Sequence, residues 1–165
     1  MSPFFPLKKV RPVRWTFSQP APKSKAFLKK QTEYIQVDPI SGLVAKFPGK
    51  PYVQKLPDGS QVLIYRELGQ GNTFEITIQL RDSTVSAEEI ASIYINPPAG
   101  AAITKKSLDG GTVVFQGLSD TYPEGLNYVQ IQFGTNYFAV IKCYGGHKFM
   151  HSDRPTIFFG NVWFD

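Results

Sequence analysis

Thr73-Phe74-Glu75-Ile76-Thr77-Ile78-Gln79-Leu80 sets an apolar side chain at every second position, so that Phe74, Ile76, Ile78 and Leu80 share one side and polar groups take the other. A period of two describes a strand buried on one face. The segments around it repeat the theme. Residues 61–66 and 52–56 are β-prone runs joined across Pro57-Asp58-Gly59-Ser60, where proline presets the first turn angle and glycine accepts a positive φ. Residues 34–37 and 43–47 flank Asp38-Pro39-Ile40-Ser41-Gly42 in the same way.

Downstream, residues 103–108 and 112–118 flank Asp109-Gly110-Gly111, and residues 128–133 and 137–144 flank Gly134-Thr135-Asn136. Residues 156–159 and 162–164 close the chain around Gly160-Asn161. Ser86-Ala87-Glu88-Glu89 combines a capping serine with acids in a first turn, which predicts one turn of helix; residues 90–95 then read as a further strand up to Pro97-Pro98. The sum is about ten or eleven short strands with at most one helical turn. Such a pattern predicts an all-β protein, either an antiparallel β-sandwich with a jelly-roll-like option or a small barrel. A parallel α/β fold has no room for its crossover helices, and no fixed repeat supports a propeller.

With 165 residues, 42% hydrophobic and 14% aromatic, the chain holds enough apolar surface for one core without metal or disulfide staples. The single cysteine, Cys143, precludes an internal disulfide. No apolar run approaches the roughly 20 residues that span a bilayer, and residues 1–9 hold two prolines and no run of signal-peptide length. The expectation is a chain that works without secretion and without a membrane. The predicted division is an extended arm over residues 1–32 and a single β-sandwich domain over residues 33–165.

Charge supports that division. Eight of the 18 Lys and Arg precede Glu33, the first of 13 acids, which leaves the body slightly acidic behind a strongly basic arm. Pro3, Pro6, Pro12, Pro20 and Pro22 disfavour helix and central strand there, although residues 23–34 allow a short basic helix. Phe4, Phe5, Leu7, Val10, Val13, Trp15, Phe17, Phe27 and Leu28 make the arm too apolar for a solvated linker. Three readings follow: a strap over its own domain, a strap on a neighbouring subunit, or nucleic-acid contact through phosphate neutralisation and stacking. The second is preferred because aromatics among prolines suit a preformed groove. The partner-binding residues are then Phe4, Phe5, Lys8, Lys9, Arg11, Arg14, Trp15, Phe17, Lys29 and Lys30.

No motif predicts catalysis. Cys143, His147 and His151 are spaced four apart, but Gly145-Gly146 interrupts any helix that would align them, so neither a metal site nor a thiol nucleophile is expected. Gly69-Gln70-Gly71 is followed by a strand rather than the helix a phosphate cradle needs. Glu88 and Glu89 are sequence neighbours that point apart, and only the fold could bring distant acids such as Glu67 and Asp120 together as a hydrolytic pair. Trp163, Phe164, Phe158 and Phe133 are expected in the core, while Tyr122 and Tyr144 are the tyrosines to test for ligand contact. The resulting expectation is a non-enzymatic assembly protein with no catalytic residue, metal or cofactor. Its predicted partners are neighbouring protein subunits in a homo- or hetero-oligomer. By analogy of architecture the expected setting is a virion (capsid cement, minor coat, tail or baseplate), with the cytoplasm as alternative location and a carbohydrate- or nucleic-acid-binding module as alternative function.

Overall fold

A computed structural model describes residues 33–107, 113–121 and 125–165. The arm, the Asp109-Gly110-Gly111 turn and Tyr122 lie outside the described residues, as does nearly all of the short helix allowed over residues 23–34. Among the described residues ten strands form two antiparallel sheets: β1 (Tyr34–Val37), β2 (Leu43–Phe47), β3 (Tyr52–Lys55), β4 (Gln61–Arg66), β5 (Thr73–Leu80), β6 (Thr104–Ser107), β7 (Val113–Thr121), β8 (Gly125–Phe133), β9 (Tyr137–Tyr144) and β10 (Val162–Phe164). The large sheet runs β3-β4-β5-β9-β8-β7-β6 and the small one β1-β2-β10. Edges at β3 and β6 leave the large sheet open, so the sandwich-like arrangement holds and the barrel does not.

Both faces of the large sheet are covered near its centre, which explains why β8 and β9 are almost continuously buried instead of alternating. On one face, Phe74, Ile76, Ile141 and Cys143 pack with Leu43, Ala45 and Phe47 of the small sheet and with Phe149 and Phe158. On the other, Val129, Ile131, Phe133 and Val140 pack with Ile90, Ala91 and Ile95. A polar ladder also ties the sheets together. Gln130 donates to Gln116 Oε1 at 3.0 Å, and Gln132 donates to Gln130 Oε1 at 2.9 Å and to the Val162 carbonyl of β10 at 2.8 Å. These buried amides satisfy one another, as burial requires.

Among the described residues three helices accompany the strands, where at most one helical turn was expected: α1 (Ala87–Tyr94), α2 (His147–Met150) and α3 (Arg154–Gly160). Two of them correct the sequence reading. Residues 90–95 were expected as a strand, but a complete capping box holds the helix start: Ser86 Oγ accepts from the Glu89 amide while Glu89 accepts from the Ser86 amide. Helical winding then buries Ile90 and Ala91 against the sheet, overriding the β preference of the isoleucines. Residues 156–159 were also expected as a strand. Pro155 instead sits in the first turn of α3, where its fixed φ suits a helix, and Pro155, Phe158 and Phe159 fall on the buried stripe.

Candidate protein-binding surface

The outer face of the small sheet is built by register. Val37 lies opposite Val44, and Val44 lies opposite Trp163, so these three side chains form one row across β1, β2 and β10. Ile35 lies opposite Lys46 in the next row. Leu43, Ala45 and Phe47 are buried against the large sheet, which turns Val44 and Lys46 outward with the whole row. The consequence is an apolar solvent face: Ile35 is 57% exposed, Val37 53% and Trp163 38%. Lys46 Nζ rests 5.9 Å from the Trp163 ring centroid, the geometry of a cation on an aromatic face. Trp163 was expected in the core, as were Phe158, Phe133 and Phe164. Phe158 and Phe133 are buried and Phe164 is half-buried, but the pleat puts Trp163 on the other side.

The β1–β2 turn holds this face in place. Asp38 accepts from the Ser41 amide and hydroxyl, Gly42 adopts φ +82° as its amide returns to the Asp38 carbonyl, and Gln61 of β4 donates to Asp38 Oδ1 at 3.1 Å. The described chain begins at Glu33, directly before β1 of this sheet. All ten arm residues singled out from the sequence (Phe4, Phe5, Lys8, Lys9, Arg11, Arg14, Trp15, Phe17, Lys29 and Lys30) lie outside the described residues.

The groups considered for chemistry are dispersed. Cys143 is fully buried on β9, and burial pushes its thiol well above the usual range. His147 and His151 are exposed, with ring centroids 4.1 Å apart, so the fold does not join them to the cysteine. Among the described residues no group of three or more His, Cys, Asp or Glu is placed to hold a metal ion. Glu67 and Asp120 are separated by four strand spacings, about 19 Å, too far for a hydrolytic pair. Tyr144 ends β9, half-buried, with its hydroxyl 3.4 Å from Glu75 Oε1.

Glu67 instead belongs to a clamp that sequence reasoning missed. Arg154 of α3 grips it with two hydrogen bonds, at 2.9 and 2.6 Å, and Asn72 donates to it at 2.8 Å. The guanidinium also lies 5.4 Å from the Phe74 ring and 5.3 Å from the Phe149 ring. Residues 87 positions apart gave no local signal. The Arg154 hydrogen bonds hold the Glu67 carboxyl below its usual range, with burial opposing and Asn72 assisting. The folded carboxyl thus keeps its charge to lower pH than the unfolded one, whose pKa is about 4.3. The clamp's stabilisation is fully present above that value and is lost as pH falls through the lowered folded value. Because Arg154 is 39% exposed, the pair contributes about 1 kcal/mol rather than a buried pair's full effect. Urea titrations of Glu67→Gln should show that loss at pH 7 and a shallower decline below about pH 4.3; parallel pH curves would remove the clamp.

Two antiparallel sheets with one face of the large sheet capped by a helix and the other by the small sheet define the class of protein. No family model and no curated protein matches the chain. Among solved structures, the solution structure of cyanobacterial PsbP (CyanoP) from Synechocystis sp. PCC 6803 is similar, with a TM-score of 0.59 at 9% identity over 84% of this chain and 96% of that one. This is a likeness of fold. It stands against the expected virion component, since this similar structure is a PsbP and not a capsid or tail protein. The virion location, with its cytoplasmic alternative, is withdrawn with it. Among the described residues no helix is long and apolar enough to cross a membrane.

Proposed function

We propose that this chain is a non-enzymatic, PsbP-like accessory subunit that associates with other protein subunits through the outer face of its small sheet. The observation that carries the reading is the row of Val37, Val44 and Trp163 with Ile35 beside it, an apolar strip turned away from both cores. Covering side chains of this kind contributes about 1.5–3 kcal/mol each when complete, enough for four of them to hold a partner. The likeness of fold to cyanobacterial PsbP supports an accessory role. The reactive groups support a non-catalytic one, since Cys143 is sealed in the core and Glu67 is engaged by Arg154. The basic arm supplies the second contact: Phe4, Phe5, Trp15 and Phe17 cover apolar surface on the partner while Lys8, Lys9, Arg11, Arg14, Lys29 and Lys30 meet acidic groups.

The test is the mass of the native complex in extract of the source cells. The full chain should run far above its own 18.5 kDa. The double variant Ile35→Asp, Trp163→Asp should run as a monomer with an unchanged circular dichroism spectrum. A wild-type chain that runs alone would overturn the reading.

A further inference from the structure

We propose that the free edge of β3 is a second docking site, which takes an extended, acidic peptide segment of a partner protein as an added strand. The inference rests on the reading that this chain associates with other proteins, and it names a separate surface and the chemistry of what binds there. Among the described residues β3 is the last strand of the large sheet on its side, and all four of its residues are exposed. The register fixes which backbone groups face outward. The Leu56 amide donates to the Ser60 carbonyl at 2.8 Å, closing the β3–β4 hairpin, so the pairs Gln54 with Val62 and Tyr52 with Ile64 continue the hydrogen-bonded positions. The N–H and C=O groups of Val53 and Lys55 therefore point away from β4, toward the open edge.

The side chains around that edge select the occupant. Tyr52, Ile64 and Arg66 share one face of the sheet and, with Lys50 and Leu68, line a groove of about 720 Å³. Tyr52 is 66% exposed and Leu68 94%, both large apolar groups in water. Lys50, Lys55 and Arg66 surround the edge with positive charge. Of the acids nearby, Glu67 is gripped by Arg154, Asp58 accepts from the Ser60 amide and hydroxyl, and Glu75, opposite Ile64 one strand further in, lies 3.4 Å from the Tyr144 hydroxyl. The other edges differ. At β6, Lys105 is paired with Glu88 at 2.7 Å, and β1 is flanked by the acids Glu33 and Asp38. An incoming strand at β3 bonds its backbone to Val53 and Lys55, sets carboxylates against Lys50 and Arg66 on the Tyr52 face and against Lys55 on the opposite face, and inserts an apolar side chain between Tyr52 and Leu68. Lysines on an edge also repel a second copy of the same chain, which favours a different, acidic partner.

The full chain is titrated with a capped peptide of glutamates and valines that carries glutamates on both faces of the strand around a central phenylalanine, and with a control in which lysine replaces glutamate. The glutamate peptide should bind at least tenfold more tightly than the control and should slow amide exchange at Val53 and Lys55 severalfold. Val53→Pro removes an outward N–H that β4 does not use, so it should weaken binding at least tenfold while the hairpin stays closed. The double variant Lys50→Glu, Lys55→Glu should do the same without touching the backbone, and it carries the test if the proline variant unfolds. Equal binding of both peptides, protection at Ile35 and Val37 in place of Val53 and Lys55, equal competition by a single-stranded oligonucleotide, or no binding at all would each overturn the proposal. None of these results alters the response of the native mass to Ile35→Asp, Trp163→Asp, which is what reads the small-sheet face.

Discussion

Truncating Phe74 to alanine is expected to cost about 3–5 kcal/mol and to lower the melting temperature by about 10 °C. Phe74 is 1% exposed at the start of β5, where α2 and α3 both pack on its ring. Phe149 of α2 approaches edge-on at 5.4 Å and 87°, and Phe158 of α3 lies 4.9 Å away at 64°. Phe158 in turn packs 5.1 Å from Phe47 of the small sheet. Arg154 covers the remaining side, so the same ring also supports the Glu67 clamp. Removing it leaves a cavity that a β-strand and two short helices cannot close without moving the small sheet. Thermal and urea unfolding measure the effect, and Phe74→Leu should recover more than half of the loss. A cost below about 1.5 kcal/mol for the alanine variant would show that the cluster relaxes around the gap.

Gly145→Ala should destabilise by about 2–3 kcal/mol, whereas Gly146→Ala should change stability by less than about 0.5 kcal/mol. A Cβ at Gly145 would clash with Asn72 Oδ1 and meet Phe149 Cδ2 at 2.9 Å and the Asn72 backbone at 3.0 Å. Asn72 cannot yield easily, because it is buried and its amide donates to Glu67 at 2.8 Å and Gln70 at 3.1 Å. At Gly146, which caps α2 with an ordinary φ of −69°, an added Cβ meets nothing within 4 Å. The neighbour is therefore an internal control for the same chemical change. Equal effects at the two positions would mean that backbone preference, and not the close approach to Asn72, governs this loop.

The two glycines show where local reading stops. From sequence they are one helix-breaking pair, although one is a packing contact and the other a cap. The hairpin across Pro57-Asp58-Gly59-Ser60 was legible because its turn chemistry and the alternation beside it are local. The strand at residues 73–80 was legible for the same reason. The isoleucines of α1 misled because β-branched residues favour strands in isolation, while burial of Ile90 against Val129 and Ile131 and the Ser86 capping box favour helix. Of the candidate surface, each residue could be read as β-prone, but the exposure of Trp163 depends on which way the pleat of β10 faces when it pairs with β2.

Composition, alternation and turn residues were sufficient to specify an antiparallel β body, since each depends on contacts within a few residues. Tertiary folding alone chose the order of strands, set the apolar row of Val37, Val44 and Trp163 toward solvent, joined Glu67 to Arg154 and left β3 at an edge. Those outcomes come from pairing between distant segments, where the registers that bury the most apolar surface win and the surplus side chains fall to the outside.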